Sequence, residues 1–170
     1  MRAAIVSDTH GNWEKIAEEI KKENVDCLFF LGDHARDGKK MESFLKIPAY
    51  IVRGNCDRIE DGDAEQIVEL GGWKIFLCHG HHYHVKEQLQ TLFYRGLELG
   101  VDIILYGHTH RAYYEETDGL TIINPGSVSR ENMYLGDASW GILTLSENKF
   151  EKNLKKYEKR GCKTSKDLLE

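Results

Sequence analysis

The sequence predicts an α/β fold whose working residues sit in loops at strand ends. Three observations carry this. Short apolar runs of strand length recur along the chain. Stretches with apolar residues three and four positions apart stand between several of them. Most of the runs end in polar turns holding Asp, Asn or His. The central turn is Gly107-His108-Thr109-His110, which follows the run Val101-Asp102-Ile103-Ile104-Leu105-Tyr106. Each of its imidazoles offers a neutral nitrogen, the commonest metal-binding group in proteins. Taken alone, the turn reads equally well as a polar loop with two solvated histidines, so the other strand ends decide.

A chain of 170 residues is long enough for one domain with a real core. Its net charge of −5 excludes a broad basic field for a nucleic-acid backbone. The four cysteines, Cys27, Cys56, Cys78 and Cys162, form no CxxC pair, and Cys27 and Cys78 fall in apolar runs. Reduced thiols in a cytoplasmic protein are therefore expected, not a disulfide frame. The start turns polar too soon for a secretory leader, and no apolar run approaches membrane-spanning length.

The first strand, Ala3 to Val6, leads into Ser7-Asp8-Thr9-His10-Gly11-Asn12. Asn12 is the expected N-cap of a helix whose apolar face is Trp13, Ile16, Ala17 and Ile20. Asp8 and His10 stand at the strand's carboxyl end, where open α/β sheets bind ligands. A helix cap with an exposed histidine is the alternative reading. The second strand, Asp26–Leu31, ends in Gly32-Asp33-His34; the glycine permits a tight turn, and the two carboxylate oxygens of Asp33 can bridge two ions. His34 reads as a group beside the substrate or as a solvated loop residue. A short helix over Met41 to Lys46 closes at Pro48. The third strand, Ala49 to Arg53, ends in Gly54-Asn55-Cys56-Asp57, where Asn55 offers an amide oxygen or simply forms the turn. Asp57 orients a neighbour or caps the loop.

A hairpin joins Gln66–Leu70 to Trp73–Cys78, which runs into His79-Gly80-His81-His82-Tyr83-His84, half of the eight histidines. His79 occupies the strand-end position. His81 contacts substrate or supports a ligand, while His82 and His84 read as surface residues. Val85, Leu89, Leu92, Phe93, Gly96 and Leu97 give a helix stripe stopped by Gly100. After the central turn, Arg111–Glu116 and Leu120–Asn124 form a hairpin around Asp118-Gly119. A tight turn at Asn124-Pro125-Gly126-Ser127 precedes a closing hairpin, Trp140–Leu145 with Lys149–Tyr157, around Glu147-Asn148. This assigns one domain to residues 1–157 and a polar tail or short helix to 158–170.

Five loops thus hold seven oxygen or nitrogen donors: Asp8, His10, Asp33, Asn55, His79, His108 and His110. That is too many for one ion and suits two sharing Asp33. The mixed Asp/Asn/His set favours manganese, with iron, cobalt, nickel or zinc as alternatives, over a thiolate-bound structural zinc.

The ordered motifs DTH, GD, GNCD, HGH and GHTH, across about two thirds of the chain, resemble the calcineurin-like metallophosphoesterase superfamily. Small size and the NPGS turn are most similar to its YfcE-type phosphodiesterase branch. The resemblance implies a four-layer α/β/β/α sandwich of two mixed β-sheets with metal ions at one end. It implies that Asp8, His10, Asp33 and His110 hold one ion. Asn55, His79 and His108 hold the other, with Asp33 shared. Many members carry a histidine where Cys56 stands, and that histidine is usually assigned to the leaving group or the substrate phosphate. A thiol is no imidazole substitute.

The expected activity is hydrolysis of a small-molecule phosphodiester by a metal-bridging hydroxide, with Asp33, Asn55 and His81 as the catalytic set. Two ions roughly 3.5–4 Å apart lower the pKa of a shared water enough for this. His81, Arg53 and Ser127 are candidates for touching substrate. The alternatives are a phosphomonoesterase or nucleotide pyrophosphatase at the same site, or a non-catalytic scaffold, as the retromer subunit of this fold is. A homodimer is expected from family habit, with the Val85–Leu99 helix and Tyr113 and Tyr114 as its surface.

Overall fold

β1 (Arg2–Val6) shows how the layers are built. Its side chains alternate, Ala3 and Ile5 toward one buried cluster, Ala4 and Val6 toward another, and all four are fully buried. β2 (Cys27–Phe30) repeats this with Phe29 against Leu28 and Phe30. A strand apolar on both faces must be covered on both sides. Helices α1 (Glu14–Lys21) and α2 (Ala35–Leu45) cover one face through Ile16, Ala17, Ile20 and Met41. The other face meets a second sheet through Ile75, Leu77, Ile103, Leu105 and Ile123. That second sheet is covered outside by α3 (Gln90–Leu99), whose Leu92 packs with Phe76 and Ile104.

We describe the chain from a computed structural model covering residues 1–147, 149–158 and 161–164. The six-stranded sheet has the order β11-β10-β9-β1-β2-β3, with β3 Ala49–Ile51, β9 Ser139–Ser146, β10 Lys149–Glu158 and β11 Gly161–Thr164. The five-stranded sheet has the order β4-β5-β6-β8-β7. Its strands are β4 Glu65–Leu70, β5 Trp73–Cys78, β6 Ile103–Leu105, β7 Ala112–Thr117 and β8 Leu120–Pro125. Both sheets are mixed: β1, β2 and β3 run parallel, as do β5, β6 and β8, and the remaining neighbours are antiparallel. This is the α/β/β/α sandwich that the resemblance implied.

Several expectations need correction. Asn12 does not cap α1. The N-cap is Trp13, with no side-chain bond, and the Asn12 amide instead donates to Val128 O at 3.0 Å. The helix expected over Met41 to Lys46 begins at Ala35. Its Gly38 lies against the Phe30 ring, which an added Cβ would meet at 2.8 Å, so the helix needs a glycine to lie this close to the sheet. The helix expected from Val85 begins only at Gln90; residues 84–87 form a turn, and Leu97 is exposed. A further helix, α4 (Arg130–Leu135), was not anticipated; the Ser129 hydroxyl caps it by accepting from Asn132 N. Residues 161–164 are a strand paired with β10, not a tail or short helix, while 159–160 and 165–170 lie outside the described residues. Asn148 of the closing turn also lies outside them. Cys27, Cys56 and Cys78 are free thiols. Among the described residues, no helix is long and apolar enough to cross a membrane.

Candidate metal centre

The carboxyl ends of β1, β2, β3, β5 and β6 bring all seven expected donors to one end of the sandwich. Donor atoms of Asp8, His10, Asp33 and His110 lie within 4.8 Å of one another, and so do those of Asp33, His79 and His108. Asp33 belongs to both groups. Asn55 joins the second, with its Oδ1 3.1 Å from His79 Nε2.

The backbone is bent to achieve this. Asp8, His10, Asp33, His108 and His110 all have positive φ, between 45° and 70°. A left-handed residue other than glycine costs roughly 1–2 kcal/mol, and such strain gathers at functional sites. Two glycines make room for the bends. A Cβ on Gly54 would lie 2.1 Å from Asp33 Oδ1, and one on Gly107 would lie 2.0 Å from Ser7 Oγ.

Hydrogen bonds then aim the donors. His79 Nδ1 is 2.6 Å from Leu31 O, which can only accept, so Nδ1 carries a proton and the ring is oriented with Nε2 facing the centre. Asp8 Oδ2 accepts from the Ser7 hydroxyl at 2.5 Å and from His108 N at 3.0 Å, linking the two sheets. Ser127, expected near substrate, is fully buried and donates to Asp8 O at 2.9 Å; it holds the β1 loop instead. Arg53 also turns away, its guanidinium donating to Gly62 O. Asp57 accepts from His34 N, Ala35 N and Gly54 N, so it ties the Asp33 loop to the Asn55 loop and caps α2. Asp37 Oδ2 accepts from Thr9 Oγ1 at 2.7 Å and Gly11 N at 2.8 Å, on either side of His10. Asn124 Nδ2 donates to Gly107 O, and Asn132 Nδ2 to His110 O. Sequence reading missed Asp37, Asn124 and Asn132 as supports; a polar residue that acts only through a loop backbone has no pattern of its own.

Asp8 Oδ1 is the informative atom. It is buried and has no hydrogen-bond partner, although His110 Nε2 is 3.1 Å away. His10 Nε2 and His110 Nε2 likewise face each other at 3.4 Å. A buried carboxylate oxygen without a partner is costly. Lone pairs from oxygen and nitrogen turned toward common points are the arrangement a cation resolves. An oxygen and nitrogen set of this kind suits divalent ions, and these residues fit the group.

Electrostatics agree. Burial raises the Asp33 carboxyl, but the hydrogen bond and charge of His79 and the Cys56 N–H outweigh it and hold it well below the usual carboxylate range. Burial, then the charge of His79, brings His108 down to about 4. Burial, then the charge of His82, does the same for His81. Both are therefore neutral at pH 7. His81 stands at the rim, its ring centroid 5.4 Å from that of His79 and 6.1 Å from that of His108. The His34 ring lies 5.3 Å from His10, also at the rim. His82 and His84 are exposed. Cys56 is exposed beside Asn55. Burial and then the Asp33 charge push its thiol up to about 11, so it keeps its proton.

The calcineurin-like phosphoesterase superfamily domain matches residues 1–148. The chain belongs to this superfamily. Among its relatives is a protein named probable metallophosphoesterase YsnB, from Bacillus subtilis, 35% identical over 150 residues that cover 87% of this chain and 86% of that one. A second, named phosphodiesterase MJ0936, from Methanocaldococcus jannaschii, is 33% identical, covering 88% and 96%. Vps29 of Entamoeba histolytica, solved with zinc, superposes with a TM-score of 0.82 over 97% of both chains at 20% identity, a likeness of fold alone. Metallophosphoesterase membership accounts for the clustered donors: divalent cations are what the family implies for such a set.

Proposed function

We propose that this protein is a phosphodiesterase that works with two divalent cations, manganese first among them. One observation carries the reading: two donor groups converge on a shared, deeply charged Asp33 beside a buried Asp8 oxygen that lacks a partner. Asp8, His10, Asp33 and His110 would hold one cation, and Asp33, Asn55, His79 and His108 the other. When bound, such a pair supplies an acidified, oriented water and neutralises charge on the phosphoryl oxygens.

The chain's own residues set the rest. Asp8 and Asp33 are fixed by hydrogen bonds from Ser7, His108 N and Cys56 N, so their free oxygens point inward without further ordering. His79 is held in one tautomer by Leu31 O. Asn55 offers its amide N–H groups to a phosphoryl oxygen at the rim, and neutral His81 offers a hydrogen bond rather than a charge. Beside Asn55 stands Cys56 and not an imidazole. The Cys56 thiol, which keeps its proton, is a weak acid toward the leaving alkoxide, which favours diesters with good leaving groups. No serine or cysteine nucleophile is needed.

Asp33→Asn and His108→Ala are the test. Each is expected to reduce hydrolysis of an aryl phosphodiester to background while leaving the cooperative unfolding transition in place. Full activity in either variant would falsify the assignment. Running the matching aryl monoester alongside separates a diesterase from a monoesterase using the same site.

A further inference from the structure

His110 faces two ways. Its Nε2 lies 3.1 Å from Asp8 Oδ1 inside the candidate centre, while the residue also lines a groove of about 490 Å³ outside it. The groove runs between the start of β7, the end of α4 and the adjoining stretches of β9 and β10. Its size is that of a small-ligand site. Two polar floor residues are already committed. Buried Asn132 donates to His110 O at 2.9 Å, and buried Ser139 donates to Pro125 O at 2.8 Å. The floor is thus tied to the loop carrying His110, and recognition falls to the rim.

The rim holds Arg111. Its backbone is pinned, N donating to Thr109 Oγ1 and O accepting from it. Its exposed guanidinium makes no hydrogen bond or ion pair with any described residue. Arg2, Arg36, Arg58 and Arg95 each pair with a carboxylate instead. An unpaired guanidinium one residue from a centre proposed to act on phosphate has the geometry to take a second phosphate in bidentate fashion. Lys156 lines the same groove. Asp137, also on the wall, accepts from hydroxyls and repels a phosphate placed beside it, so it suits the sugar portion of an arm. The chain's net charge of −5 opposes a long polyanion, so the fitting ligand is short.

We propose that this groove seats one arm of the substrate and that Arg111 selects an arm carrying a second, terminal phosphate. The substrate class is then a short phosphodiester such as a 5′-phosphorylated dinucleotide. This rests on the phosphodiesterase reading above. The test compares a 5′-phosphorylated dinucleotide with the same dinucleotide lacking that phosphate, in wild type and Arg111→Gln, with bis(4-nitrophenyl) phosphate run alongside. A charge-assisted contact at an exposed site should lower KM for the phosphorylated substrate about tenfold in wild type, with kcat little moved. In Arg111→Gln the ratio of kcat/KM between the two dinucleotides should fall to near one. Equal efficiencies in wild type, or a preference surviving in the variant, would overturn the groove while leaving the diesterase reading intact. If no diester is turned over with any cation, the diesterase reading fails. Equilibrium titration of both dinucleotides into wild type and Arg111→Gln then judges the groove alone: loss of the affinity difference in the variant supports it, and equal affinities in wild type refute it.

Discussion

Asp37→Ala should weaken cation binding without touching a cation ligand. Asp37 lies in the first turn of α2, almost wholly buried, and its Oδ2 accepts from Thr9 Oγ1 and Gly11 N. Those two groups flank His10, whose φ is 45°, two residues beyond Asp8 at 54°. Holding two such residues left-handed costs roughly 2–4 kcal/mol. Hydrogen bonds to a charged acceptor contribute about 1.5–3 kcal/mol each, so the pair supplied by Asp37 is of the size needed to offset that strain. Removing both should destabilise the fold by about 3 kcal/mol and lower the melting temperature by about 9 °C. The loop should relax toward ordinary φ and take the His10 nitrogen out of line. Loss of such a supporting partner typically costs 10–100-fold in metal affinity. Asp37→Asn keeps a carbonyl oxygen for both donors and should lose less than fivefold in affinity. Calorimetric titration of chelated protein with manganese, together with thermal unfolding, reads both effects. If Asp37→Ala melts early yet binds manganese as tightly as wild type, or if Asn fails as badly as Ala, the positioning argument is wrong.

Gly54→Ala places a methyl group 2.1 Å from Asp33 Oδ1 and 2.5 Å from its backbone N. It should abolish cation binding even where the protein still folds, and retained binding by calorimetry would contradict the close approach described. Glu23 anchors the almost fully buried Lys155 and also binds Arg2. The Lys155 hydrogen bond holds its carboxyl below the ordinary glutamate value. Because the folded pKa is depressed, the contribution is complete above the unfolded value and fades as pH falls through the folded one. Glu23→Gln should therefore cost about 2 kcal/mol near neutral pH, discounted for the partial exposure of Glu23. Denaturant titrations should show wild type and variant converging in acid; a gap independent of pH would refute the pairing.

The donors were legible because each strand here ends in residues of one chemistry, and a β-strand fixes which end faces the ligand. Asp8, His10, Asp33, Asn55, His79, His108 and His110 meet although as many as 102 positions separate them along the chain. Continuous apolar runs, buried on both faces, likewise made β1, β2, β5 and β6 readable. The illegible parts share a cause. The first turns of α2 carry Arg36, Asp37 and Gly38, a charged stretch ending in a residue disfavoured in helices. What selects helix there is the close fit of Gly38 to Phe30, which is tertiary. α4, Arg-Glu-Asn-Met-Tyr-Leu, has no apolar stripe and is placed by its Ser129 cap and the Asn132 bond to His110 O. Asn12 has a capping residue's chemistry but is spent on Val128. Arg53 and Ser127, read as substrate contacts, serve the backbone, and only the folded partners reveal it.

The most direct measurement is cation stoichiometry coupled to turnover. Chelated protein is reloaded with Mn, Ni, Co, Zn or Mg singly, bound ions per chain are counted, and hydrolysis of an aryl phosphodiester is followed in the same samples. The account requires two ions per chain at full activity, diester hydrolysis exceeding that of the matching monoester, and loss of both properties in Asp33→Asn. Full activity with one ion per chain, or two bound ions with no turnover of any diester, would contradict it, the latter result pointing to a scaffold that keeps the centre without the chemistry.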